Sequence, residues 1–236
     1  MADLKGTTLE GIQYWSYGSP TFTALIMYFQ PGQSFIAEKG AMAWMHPTIT
    51  MQTAGRKGGL LKGLAVSALG GESFFVNTFT ATGGPGEIAF VGPFMGDVRP
   101  VNLQGQGYIV RSGGFLASGP NVQLDTKWQG IKGFVGMRDA VMLRASGQGT
   151  IFLSSFGAML ERDLQQGEVL SIDNGHVVAF QDHIPYSVRA AGGMKSTILG
   201  GEGMVVDMTG PGKVFIQTRQ LQVFAEHLAR VLPNRG

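Results

Sequence analysis

Gly32-Gln33-Ser34-Phe35-Ile36-Ala37-Glu38-Lys39-Gly40 is echoed twice further along the chain. The echoes are Gly105-Gln106-Gly107-Tyr108-Ile109-Val110-Arg111-Ser112-Gly113 and Gly167-Glu168-Val169-Leu170-Ser171-Ile172-Asp173-Asn174-Gly175. In each copy the outer glycines stand eight residues apart, and an apolar run leads to a polar pair and the closing Gly. A second phrase begins at Gly84, Gly147 and Gly210, so its copies are 63 residues apart both times. Internal repetition of this kind describes architecture before it describes chemistry.

The repeats divide the chain into units of approximately 21–96, 97–157 and 158–219 within a single domain, 1–236. Each unit opens on a related strand: Ala24 to Gln30, Asp97 to Gln104 and Ala158 to Gln165. The 37 glycines fall in short groups between apolar runs, the pattern of many short strands joined by tight turns. Ser34 to Ala37 and Ala41 to Met45 read as a hairpin turning at Glu38-Lys39-Gly40. Asn174-Gly175 has the composition of a two-residue hairpin turn. Residues 220–232 place Leu221, Phe224, Leu228 and Val231 on one face of an amphipathic helix that is expected to lie against the β structure. The expected fold is all-β, three β repeats about a pseudo-threefold axis closed by the first and last strands, with one C-terminal helix.

Composition narrows the function. With 44% hydrophobic and 14% charged residues the chain is well away from disorder, and its surface must be largely neutral. A surface so poor in charge is expected to be covered by a copy of itself, a homo-oligomer. Net charge is +2 and no basic stripe appears, which disfavours nucleic acid as a partner. The absence of cysteine excludes thiolate catalysis, disulfides and iron–sulfur clusters. No targeting signal or long apolar run is present, so a cytoplasmic location is expected. Gly58 to Gly71 is apolar and small and offers a peripheral membrane contact or an oligomer contact.

Catalytic and metal constellations do not assemble. His46, His176, His183 and His227 show no spacing with carboxylates that suits a metal, so neither a metal nor a cofactor is expected. Glu38, Arg111 and Asp173 hold the same place in the three turn phrases, and residues that vary so freely read as turn formers. The best binding candidates are Glu72 and Glu202, which follow Leu-Gly-Gly in two units, with Asn77 in the neighbourhood of the first. His176 and Arg219 complete that set.

The ordered phrases resemble the altered-inheritance-of-mitochondria (mitochondrial biogenesis) family, whose prokaryotic single-domain members are of uncharacterised function. Ala37-Glu38-Lys39-Gly40-Ala41-Met42, Leu69-Gly70-Gly71-Glu72-Ser73-Phe74-Phe75 and Asp173-Asn174-Gly175-His176-Val177-Val178-Ala179 carry the resemblance. Gly201-Glu202-Gly203 and the run from Gly210 to Arg219 complete it. It implies a threefold-duplicated β fold related to the tryptophan-sensing RNA-binding attenuation protein. It also implies, for the mitochondrial relatives, a part in inner-membrane organisation, and it supplies no catalytic residue. The leading expectation is a non-enzymatic β scaffold that self-associates and engages an unknown protein partner or a membrane surface. The alternative is a small-molecule binding module with a polar pocket between the β repeats.

Overall fold

A computed structural model describes residues 4–53, 75–125, 142–191 and 204–232, and they are mostly β with one C-terminal helix. Two strands, β1 (Leu4–Thr7) and β2 (Gln13–Tyr17), precede the first repeat phrase. Then come β3 (Ala24–Phe29), β4 (Ser34–Glu38), β5 (Met42–Met45), β6 (Ile49–Thr53), β7 (Val76–Ala81) and β8 (Gly86–Val91). The middle of the chain forms β9 (Val98–Gln104), β10 (Tyr108–Arg111), β11 (Phe115–Ser118), β12 (Val122–Asp125) and the long β13 (Met142–Ser154). It ends with β14 (Met159–Leu164), β15 (Val169–Asp173), β16 (Val177–Gln181), β17 (Tyr186–Ala190), β18 (Met204–Thr209), β19 (Gly212–Gln217) and helix α1 (Leu221–Val231).

The strands form three antiparallel sheets. One runs β1-β2-β3-β8-β5, one runs β15-β18-β17, and the largest runs β14-β19-β16-β10-β13-β11-β4-β7-β6, with β9 and β12 also paired to β13. β13 serves two neighbourhoods. Its first part pairs with β10 and β12, and its second with β9 and β11. Gly147 (φ 99°) and Gly149 (φ 149°) permit the change of direction between them, since both lie where side-chain-bearing residues are strained.

The repeated phrase is not a hairpin. β4 pairs with β7 and β11, whereas β5 pairs with β8, so the turn at Glu38 carries the chain from one sheet to another. Burial explains why. Phe35, Ile36 and Ala37 are consecutive and all buried, which requires cover on both faces and a neighbour along each edge. β10 buries Tyr108, Ile109 and Val110 in the same way and lies between β13 and β16. Asn174-Gly175 differs from expectation too. Asn174–His176 is a single 3-10 turn capped by Asp173, whose Oδ1 accepts from the Gly175 amide at 2.8 Å. A side-chain cap offers that amide what a two-residue hairpin would have left to the facing strand.

Three apolar clusters fill the interior. The first centres on Met27, Phe35, Phe79 and Phe90 and takes in Leu116, Ala117 and Phe152 from the middle of the chain. The second centres on Leu103, Tyr108, Phe115 and Leu153 and takes in Val178, Ala179 and Phe215 from the last part. The third gathers Ile172, Val177, Phe180, Val206, Met208 and Val214. Each of the first two therefore depends on strands from further along the chain. Among the described residues β3 pairs with β2 and β8, and β19 with β14 and β16, so the first and last repeat strands do not pair with each other.

Both ends of the chain differ from the sequence reading. β1 and β2, short and of mixed polarity, extend the first sheet, and the loop between them is fastened to β13. There the Thr150 amide donates to Glu10 Oε1 at 3.0 Å, and the Leu9 amide donates to Thr150 Oγ1 at 2.8 Å. α1 forms where the apolar spacing placed it, but no residue of it is buried. Phe224 sets its ring edge-on to Phe156, 5.4 Å between centroids, while Val231 stays 63% exposed. Among the described residues no helix is long and apolar enough to cross a membrane.

Two stability outcomes follow from the packing. Gly96 forms a parallel bridge with Gly157, and a Cβ there would overlap the Ser155 carbonyl oxygen, a backbone atom that cannot rotate away. Gly96→Ala is expected to cost about 3 kcal/mol in urea unfolding. Gly32→Ala, at φ 83° but in open space, should cost about 1–2 kcal/mol. Tyr108 supplies the second. Burial, with help from the Glu161 and Asp163 carboxylates, pushes its phenol up from 10.0 to about 12. The fold thus favours the protonated phenol, so this stabilisation is complete below the ordinary tyrosine range and is lost as pH rises through about 12. Urea midpoints should fall across that alkaline window, and Tyr108→Phe should flatten the decline.

Candidate functional site

Two pairings bring distant turns together. Ala117 of β11 pairs with Ala37 of β4, and Val110 of β10 pairs with Ala179 of β16. The turns that end β4, β10 and β15 carry Glu38, Arg111 and Asp173, the same position of the repeated phrase. Arg111 reaches across to the last of these turns, where its Nη1 donates to the Gly175 carbonyl at 2.8 Å. Burial pushes the Arg111 guanidinium down from its usual range, and the Asp173 carboxylate opposes that shift. Arg111 and Glu38 both line a cleft of about 290 Å³.

Its walls are a mixture of ring, aliphatic and amide groups. Gly113, at φ 74°, lets the turn after Arg111 close against Phe94, whose ring carbon would lie 2.9 Å from a Cβ. Phe94 packs on Phe156 with 5.9 Å between centroids, and Leu221 of α1 completes the apolar side. The polar side is held by Gln217, which is 8% exposed. Its Oε1 accepts from the Phe156 amide at 2.9 Å and its Nε2 donates to the Gly175 carbonyl at 2.9 Å. Gln220 at the foot of α1 donates to Asp173 Oδ1 at 2.8 Å. The result is a rigid frame around Gly175, with one cationic fork, one carboxylate and an apolar wall presented to the cleft.

The sequence candidates are placed differently from one another. Glu72 and Glu202 lie outside the described residues. Asn77 is buried in β7 between β4 and β6, where its Oδ1 has no partner among the described residues, and it does not line the cleft. His176 stands behind the cleft, with Nδ1 2.6 Å from the Gln217 carbonyl. Arg219 is exposed, and its Nη1 donates to the neighbouring Thr218 carbonyl at 3.1 Å. His183 likewise meets a carbonyl, that of Pro211, at 3.1 Å. Among the described residues no group of three His, Asp or Glu is placed to hold a metal ion.

Glu38 and Arg111 are the residues that sequence reasoning passed over. Their signal was visible, the same position in three aligned phrases, but their differing chemistry was read as indifference. The structure brings the turns to one place, where difference of charge is complementarity. Gln217 carried no signal in the sequence beyond its place at a strand end. Gln217→Leu removes the acceptor of the Phe156 amide and one of the two donors to the Gly175 carbonyl. It is expected to lower stability by about 2–4 kcal/mol, read as a drop in the thermal midpoint.

Against this geometry the likenesses to other proteins are consistent. An uncharacterised protein of Streptococcus pyogenes serotype M6 is 30% identical over 225 residues, which cover 92% of this chain and 89% of that one. A crystal structure of a Streptococcus pyogenes protein is also similar, with a TM-score of 0.76 and 27% identity. The match covers 94% of this chain and all of that one. The family model described as mitochondrial biogenesis AIM24 matches residues 14–219, and the chain belongs to that family.

Proposed function

We propose that the protein is a non-catalytic β scaffold that self-associates through the apolar face of α1. The observation that carries this reading is the helix itself: Leu221, Phe224, Leu228 and Val231, which share one face of it, are all exposed. A contiguous apolar face on a chain with so little charge favours a neutral, self-complementary partner, and a second copy is the simplest one. The strand edges agree. β15 and β5 each pair with one strand among the described residues, which leaves backbone groups for a further strand.

The scaffold is read as three copies of one unit about a pseudo-threefold axis. Supporting it, β3 pairs with β8, β9 with β13 and β14 with β19. β4 with β7, β10 with β13 and β15 with β18 repeat a second pairing. Register shifts fall at corresponding places too, at Met42/Trp44, Phe115/Ala117 and Val177/Ala179. A small-molecule module is the second reading, favoured by the cleft at Arg111, whose volume suits a metabolite rather than a macromolecule.

Native mass spectrometry and sedimentation at micromolar concentration test the first reading. A discrete oligomer is expected, which the double substitution Leu228→Asp, Val231→Asp should split while the β circular dichroism persists. A strictly monomeric wild-type protein would overturn self-association. A monomer that floats with lipid vesicles would instead assign the helix face to a membrane surface.

A further inference from the structure

The geometry points to a specific ligand class for the cleft at Arg111: a small organic monocarboxylate with an apolar body. This inference rests on the small-molecule reading and narrows it. A guanidinium presents five N–H donors in a planar fork. One nitrogen of Arg111 is committed to the Gly175 carbonyl, which fixes the plane of the group. The side chain also lines the cleft, which puts the guanidinium within reach of a ligand held there. The bond to Gly175 is its one hydrogen bond among the described residues, and a carboxylate is the planar anion whose two oxygens match the fork.

The rest of the cleft selects the body and the charge of the ligand. Phe94, Phe156 and Leu221 form an apolar wall, suited to a ring or short alkyl chain. At about 290 Å³ the space sits at the small end of ligand pockets. Glu38 stands on the same lining and Asp173 lies close enough to act on Arg111 electrostatically. Negative charge already present around the fork disfavours a dianion more than a monoanion, which counts against phosphates and dicarboxylates. Leu221 belongs to α1, so a bound ligand would also cover part of the exposed helix.

Three probes with the same benzyl body separate the possibilities: phenylacetate, its neutral amide phenylacetamide, and the dianion benzylphosphonate. Each is titrated into the full chain by calorimetry and by amide NMR, with Gly113, Gly114 and Gly175 as reporters. Phenylacetate is expected to bind and to shift those amides, with the other two weaker by about tenfold or more. Arg111→Lys keeps the charge but loses the fork, and should weaken phenylacetate to the level of the amide. Leu221→Ser, on the exposed helix and away from the turns, should weaken all probes alike. If phenylacetamide binds as tightly as phenylacetate and Arg111→Lys changes nothing, the carboxylate assignment falls while the small-molecule reading stands. If no probe moves the cleft amides at millimolar concentration, both fall.

Discussion

The Gly175 carbonyl accepts from Arg111 and from Gln217, and the architecture of the cleft depends on that shared acceptor. Arg111 ends β10 and Gln217 ends β19, so two strands far apart in sequence are tied to one turn. A carbonyl has two lone pairs, and using both leaves the turn no freedom to rotate. The Asp173 carboxylate fixes the turn from its other side, by accepting from the Gly175 amide and from Gln220. A Cβ on Gly175 would come within 2.6 Å of the Gln220 side chain, so glycine is required for close approach rather than for an unusual φ. The repeated phrase ends in turns of different backbone as well as different chemistry: Gly40 and Gly113 take φ of 86° and 74°, whereas Gly175 sits in a 3-10 turn.

Much of the fold was legible because the repeats announced it. The glycine-punctuated apolar runs gave strands at β3, β4, β9, β14 and β19 close to their observed limits, and the 3-4-3 spacing gave α1. Pairing was harder to read. Adjacent strands joined by a short polar turn usually pair, but the consecutive buried residues of β4 and β10 demand neighbours on both edges. That demand is met only by strands distant in sequence, and a local reading cannot see it. β1 and β2 escaped notice because Lys5, Gly6, Thr7 and Gln13 break the apolar pattern, while their order comes from β3 and from the Glu10 anchor. The cleft was legible only in retrospect. Its residues stood in the alignment of the three phrases, yet convergence depends on the β4–β11 and β10–β16 pairings.

Charge is scarce in this chain, and where it is buried it is spent on structure. Asp97 is fully buried, where it accepts from Arg99 Nε at 2.6 Å, from Ser19 Oγ at 2.8 Å and from the Val98 amide at 2.9 Å. Three donors on one carboxylate satisfy it, so it offers nothing to a ligand. Arg111 is the contrasting case. Its bond to the Gly175 carbonyl orients the guanidinium and is its one hydrogen bond among the described residues, and the side chain lines a cleft. Fully buried Asp97 is satisfied within the fold, whereas half-buried Arg111 is the group proposed to meet a ligand.

α1 imposes a further requirement. It has eleven residues, none buried, and Gln220 makes no side-chain cap bond to its first turn. Helices shorter than about 12–15 residues are marginal in water unless an apolar face is packed. The contacts through Phe224 and Leu221 hold only the N-terminal end, and Leu228, Val231 and Leu232 lie beyond them. Intrinsic propensity offers little compensation, because Val223 and Val231 are β-branched and only Ala225 and Ala229 are alanines. A helix of this composition persists when its far turns are covered. The same cover would shield the apolar wall of the cleft, because Leu221 belongs to both surfaces. The proposed association and the proposed ligand binding would therefore be linked through one side chain, and whichever came first would lower the cost of ordering α1 for the other.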